Sequence, residues 1–215
     1  MTRTTARQAM IDAAERLVAE RGMPAMTLKD VQIAADQSNK SAAKYHFGSR
    51  DGLIEAVVEA RMSPVDRRRQ EILDEWARQG LSPTPRQVVE ALVQPLAAQT
   101  LGRPGSRYAR FLVQATFDPA LADIIQKHMS AKSFRHMHDL LVNLAEVPRE
   151  VAAWRASDAI TLAMVTLAMR EGQDRTPRQT AAIVSDLVDI CVAVLTAPMS
   201  PETTEITGDP ATFDS

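Results

Sequence analysis

The sequence predicts an all-α fold of about nine helices, with a small three-helix domain at the N-terminus and a larger helical body behind it. Three observations lead there. Apolar residues recur at helical spacing along most of the chain, as in Ala6, Met10, Ile11, Ala14, Leu17 and Val18. Ala and Met are plentiful while aromatics make up only 4%, a mix with high helix propensity. The eight Gly and twelve Pro fall in short breaks, unlike the repeated turn signals of a β protein.

In chain order, the first helix covers residues 5–21 and stops at Gly22 and Pro24. Thr27 then caps a short helix through Val31, Ala34 and Ala35, with Asp30 in the acidic position of a capping box. The polar stretch Asp36, Gln37, Ser38, Asn39 makes a turn in which Asp36 can take the left-handed backbone conformation usual for glycine. A second short helix spans about residues 39–45 and ends at Gly48. Ser49 caps a longer helix that begins at Arg50 or Asp51, carries Leu53, Ile54, Val57 and Val58, and passes Pro64 to reach Trp76. After a break at Gly80, Pro83 and Pro85, helices are expected near residues 86–100, 105–117, 119–146, 149–171 and 177–197. Pro119, Pro148 and Pro177 stand where a first helical turn tolerates proline. From residue 198 onward, prolines and sparse apolar content predict a flexible tail. The expected domains are therefore 1–50, 51–197 and the tail 198–215.

Hydrophobic residues at 45% and charged residues at 24% are ordinary for a globular protein. The single Cys191 excludes an internal disulfide framework and suits a reduced cytoplasm. No secretory pattern opens the sequence. The longest strongly apolar stretch, residues 159–169, is interrupted by Thr161 and Thr166 and falls short of the roughly 20 residues that span a bilayer. The expectation is a soluble cytoplasmic protein without a membrane partner. Net charge is −2, but residues 1–50 hold eight Lys and Arg against five Asp and Glu. A basic end on an acidic body offers one face to a polyanion.

Two short helices joined by a tight polar turn, braced by longer amphipathic helices, form a helix-turn-helix unit. Its second helix must pack on one face and stay polar on the other. Ala42, Ala43 and Phe47 suit the inner face, while Asn39, Lys40, Ser41, Lys44, Tyr45 and His46 suit the outer. Small side chains at Ser41, Ala42 and Ala43 let such a helix approach a major groove, where Asn, Ser and Lys reach base edges or phosphates.

At these residues the chain resembles the TetR family of transcriptional regulators. The resemblance rests on Arg7, Ile11, Ala13 and Ala14, then Gly22, then Thr27-Leu28-x-Asp30-Val31, and on Tyr45-His46-Phe47-Gly48-Ser49-Arg50-x-x-Leu53-Ile54. It covers about residues 5–60. Where the family has Ala-Gly in the turn, this chain has Ala35-Asp36; Gln32 replaces a small apolar residue, and the stretch from Ala35 to Phe47 is one residue longer. The resemblance implies groove contacts by Ser38, Asn39, Lys40, Ser41 and Lys44, and backbone contacts by Tyr45 and His46. Thr27 and Arg50, at helix N-termini, are phosphate candidates. The implied partner is double-stranded DNA carrying a pseudo-palindromic operator.

The helices predicted at 149–171 and 177–197 carry more apolar surface than one subunit can cover. Trp154, Leu162, Val165, Met169, Val184, Leu187, Val188, Cys191 and Leu195 are the expected residues of a homodimer formed as a four-helix bundle. The middle helices offer Trp76, Phe111, Phe117, Met129, Phe134, Met137 and Leu141 for a pocket. By resemblance, an unidentified, largely apolar effector bound there releases the protein from its operator. His136 and His138 lie two apart, on different faces of a helix, and there is no zinc spacing or phosphate-cradling glycine loop. Neither metal nor cofactor is expected, and no catalytic residues. Competing readings are a DNA-binding regulator without small-molecule control and, more weakly, an all-α enzyme.

Overall fold

The computed structural model describes residues 5–39, 41–129 and 131–207, with the backbone alone at His128 and Met129. Among them there is no β-strand. The elements are α1 (Ala6–Arg21), α2 (Leu28–Ala34), α3 (Ala42–Phe47), α4 (Arg50–Gln79), α5 (Pro85–Gln99), α6 (Tyr108–Thr116), α7 (Ala122–Met129), α8 (Lys132–Leu144), α9 (Arg149–Arg170), α10 (Pro177–Thr196) and α11 (Pro201–Thr207), with two short 3-10 turns.

Local chemistry sets most boundaries. Thr5, Thr27, Ser49, Thr84 and Thr176 each accept a hydrogen bond from the first-turn backbone of the helix they precede, satisfying donors that have no intrahelical partner. Thr84 with Gln87, and Thr176 with Gln179, complete capping boxes. α4 ends at Gly80, whose φ of +62° turns the chain out of the helix. Pro64 sits inside α4 without ending it, so one 30-residue helix runs from the N-terminal domain into the body.

Two stretches depart from expectation. Residues 119–146 do not form one helix: the turn Pro119–Leu121, α7 and α8 replace it. The buried residues explain the break. Leu121 and Ile125 face the core on the first part, Met137 and Leu141 on the second. On a continuous helix, positions 125 and 137 would point about 120° apart, so one rod cannot bury both pairs. Within the predicted tail, α11 forms because Ser200 caps Thr203 through its hydroxyl at 3.1 Å and Pro201 opens the first turn. It buries none of its residues.

The N-terminal domain packs α1 against α2, α3 and the start of α4, while α6 closes on the other side of α1. In the body, α5 lies among α4, α8 and α10, and α9 lies among α6, α8 and α10. One apolar core runs through both, from Met10 and Ile11 to Leu187 and Leu195. By length and composition α9 and α10, with mean hydropathies of 1.2 and 1.6, are apolar enough to cross a bilayer. Here they pack on each other and on the bundle.

Candidate nucleic-acid interface

α3 is held from behind and left open in front. Ala42, Ala43 and Phe47 are buried in the core that includes Ile11, Val31 and Leu53. The guanidinium of Arg7 lies 5.7 Å over the Phe47 ring, a cation–π contact that ties α1 to the end of α3. Ser38, Asn39, Ser41, Lys44, Tyr45 and His46 are exposed. Tyr45 is 85% exposed, far beyond what a free surface asks of an aromatic side chain, and its ring meets His46 edge-on at 5.2 Å. Lys40 lies outside the described residues.

The turn before α3 is built as its sequence suggests. Asp36 takes φ +52°, and Gln37 N–H closes the end of α2 on the Gln32 carbonyl at 3.1 Å. The helix itself begins at Ala42, later than expected, because the Asn39 side-chain oxygen accepts from the Ser41 backbone N–H at 3.0 Å. That local turn competes with helix and sets Asn39 and Ser41 ahead of α3 rather than along it.

Arg50 opens α4 and is half-buried. Its Nε donates to the Met26 carbonyl and its Nη2 to the Met23 carbonyl, both at 3.1 Å. Through these two bonds the guanidinium clamps the loop between α1 and α2. Partners 24 and 27 residues away leave no local signal. Thr27 is similarly committed: it accepts from Asp30 N–H at 3.1 Å and donates to the Asp30 carboxylate at 2.5 Å. Its hydroxyl caps α2.

Behind this surface a charged junction joins the domain to the body. Arg61 of α4, 5% exposed, donates to Glu15 and, at 2.5 Å, to Asp12, both on α1. Arg103, between α5 and α6, reaches Asp12 at 2.8 Å and Glu15 at 3.8 Å. Gln114 of α6 donates to the Val18 carbonyl at 2.9 Å. Burial raises Glu15 above the ordinary carboxylate range despite the attraction of Arg61. Burial pushes Asp12 the same way, but hydrogen bonds from Arg103 and Gln8 and the charges of Arg103 and Arg61 outweigh it and leave Asp12 below its usual value.

The body holds a small, partly open cavity of about 110 Å³, lined by residues of α4 to α9. Of the pocket residues expected from sequence, only Phe134 lines it. Phe111, Met137 and Leu141 are fully buried core, Trp76 packs on the core edge, and Phe117 is 64% exposed. The Met129 side chain lies outside the described residues. Residues that sequence reasoning passed over include Met62, Arg69, Leu96, Leu112, Ile160 and Met164. Arg69 carried a signal: it stands four residues from both Val65 and Leu73, a charge inside an apolar stripe. A larger open cleft of about 780 Å³ lies between the α5–α6 and α9–α10 loops, bordered by Arg103, Arg107 and Arg175.

The expected dimer residues divide by face. On α9, Trp154 and Met169 are exposed, and Leu162 and Val165 are half-buried; together they make an open stripe. On α10, Val184 is half-buried, but Leu187, Val188, Cys191 and Leu195 pack into their own subunit. These four turn inward because they follow one stripe of the helix; a neighbouring stripe, about 90° around the helix, holds Ile183, Ile190 and Val194. Burial pushes the Cys191 thiol up to about 11, and it lies 3.5 Å from the Ala159 carbonyl.

Residues 10–57 match the family described as bacterial regulatory proteins, tetR family. No curated protein matches the sequence at a significant level. Among solved structures, the fold is similar to that of AmtR from Mycobacterium smegmatis, with a TM-score of 0.59, 15% identity and 97% of each chain covered. It is also similar to a putative TetR-family transcriptional regulator from Rhodococcus sp., with a TM-score of 0.52, 16% identity, and 88% of this chain and 100% of that one covered. The family match covers residues 10–57, the helix-turn-helix end of the chain, and the fold of the whole chain is similar to that of these two solved structures.

Proposed function

We propose that the protein is a sequence-specific repressor that sits on a pseudo-palindromic operator as a homodimer and leaves it when a small, largely apolar molecule fills the body. The observation that carries this reading is the polar face of α3 with the residues leading into it, backed by buried Ala42, Ala43 and Phe47. Asn39 and Ser41 offer groups for base edges, and Lys44, Tyr45 and His46 for the sugar-phosphate backbone. A symmetric pair would set two such faces about 34–36 Å apart, or a multiple, along one side of the duplex.

Release needs a path from body to reading face. α4 supports it, because the same helix lines the cavity at Val58, Met62 and Arg69, holds α1 through Arg61 and, through Arg50 at its start, clamps the α1–α2 loop. A ligand that tilts α4 would move both reading heads together.

Operator selection from random duplexes, followed by titration of variants, tests the DNA-binding part. Lys44→Ala should weaken binding to all duplexes and lower the salt dependence by about one counterion. Asn39→Ala should cost about 1–3 kcal/mol on the selected operator and narrow its margin over random DNA. Unchanged affinity in both variants removes these assignments.

A further inference from the structure

Arg69 occupies an inward position on α4 and is 2% exposed. Its Nη2 donates to the Leu92 carbonyl at 2.9 Å, and the guanidinium lies 5.7 Å from the centre of the Phe134 ring. Its Nε and Nη1 have no hydrogen-bond acceptor. Asp66 stands 3.7 Å from Nη1, outside hydrogen-bonding range, and its own Oδ1 accepts from Ser133 at 2.9 Å. Burial is costly enough to bring the Arg69 guanidinium down to about 10, even with Asp66 favouring the charge.

An apolar residue of similar volume would fill this position without that cost. The buried cation therefore calls for a further acceptor. It lines a small, partly open cavity in which α4 meets α5 to α9, and apart from Thr116 and Thr161 the other walls are aliphatic or aromatic.

Taking as given the reading that the body binds a small molecule, we infer that this cavity takes a short-chain aliphatic monocarboxylate, its carboxylate accepting from Arg69 and its chain lying among Leu96, Leu112, Phe134, Ile160 and Met164. The size limits the chain. A dry cavity of about 150 Å³ accommodates benzene, so this one, at about 110 Å³, holds roughly four or five carbons. Asp66 neutralises part of the Arg69 charge and so keeps the site from trapping small inorganic anions, which cannot fill the apolar end.

Calorimetry on the full chain without DNA tests the inference, using butyrate, valerate and hexanoate beside their primary amides. The acids should bind saturably and at least tenfold more tightly than the amides, the difference a charge-assisted hydrogen bond makes. Arg69→Met should erase that preference while the amides still bind. Ala163→Leu, which fills the cavity and keeps Arg69, should abolish binding of both and guards against an Arg69 variant that fails to fold. Equal binding of acid and amide, acid binding that survives in Ala163→Leu, or no acid binding in the millimolar range overturns the inference. Operator release is measured separately on the selected duplex: acid binding without release upholds the cavity's chemistry and removes ligand control, whereas loss of acid binding leaves DNA recognition untouched.

Discussion

Asp36 holds φ +52° in the turn between α2 and α3, where an L-residue other than Asn or Asp would be strained. A short polar side chain in that place is why the turn was legible from sequence despite the missing glycine. The need for a glycine at position 52 was not legible. Gly52, in the first turn of α4, would put a Cβ 2.1 Å from the Phe47 carbonyl oxygen. An alanine in a helix normally gains up to about 1 kcal/mol over glycine, but here the obstacle is backbone and cannot rotate away. Overlap of that kind costs about 1–3 kcal/mol, so the steric term wins. Gly52→Ala should lower the thermal midpoint and push the C-terminal end of α3 off its seat, weakening operator binding beyond the loss of stability. Equal stability and affinity in Gly52→Ala would mean that α3 is not seated on α4 in this way.

Between elements, the junction of α1, α4 and the α5–α6 loop rests on Arg61 and Arg103 facing Asp12 and Glu15. None of this was legible in sequence, since the partners lie 46 to 91 residues apart and a charge on an amphipathic helix is normally a solvated one. The helices themselves were legible, because caps and prolines are local; the split between α7 and α8 was not, because it depends on which direction the core lies. Arg61→Met should cost about 3–5 kcal/mol by stranding Glu15 as a buried charge. The pH dependence gives the sign. Glu15 already has a raised folded-state pKa, so its ionised form costs stability that is recovered as pH falls through that value toward 4.5. Removing Arg61 raises it further. The deficit of Arg61→Met against the parent should therefore be largest near neutral pH and shrink toward about pH 5, in urea unfolding at matched ionic strength. Asp12 works oppositely, contributing stability that is lost as pH falls through its lowered pKa, but only below that window. A deficit that is flat across the range would place the cost in packing rather than in Glu15.

At the scale of the whole molecule, one subunit leaves apolar stripes of α9 and α10 partly exposed. Trp154 is 49%, Met169 70% and Ile190 43% exposed, and only 22% of the most apolar stretch of α10 is buried within its own subunit. The sequence pattern showed that these two helices carry surplus apolar surface but could not say which stripe of α10 was spare, because both are apolar; Leu187, Val188, Cys191 and Leu195 lie on the stripe that its own subunit buries. A contiguous apolar face of this kind marks an association site, and a second copy meeting it across a two-fold axis would bury the same stripe from both sides. Ile190→Asp puts a third carboxylate beside Asp186 and Asp189 on the outer stripe, where a two-fold partner would bring its own set against it. The variant should run as a monomer by light scattering, keep its helical circular dichroism, and lose operator affinity by more than tenfold while retaining weak half-site binding, since one head alone forfeits the second half of the contacts. Leu187→Asp, on the inner stripe, should instead unfold the chain. An Ile190→Asp protein that remains dimeric would move the interface away from α10.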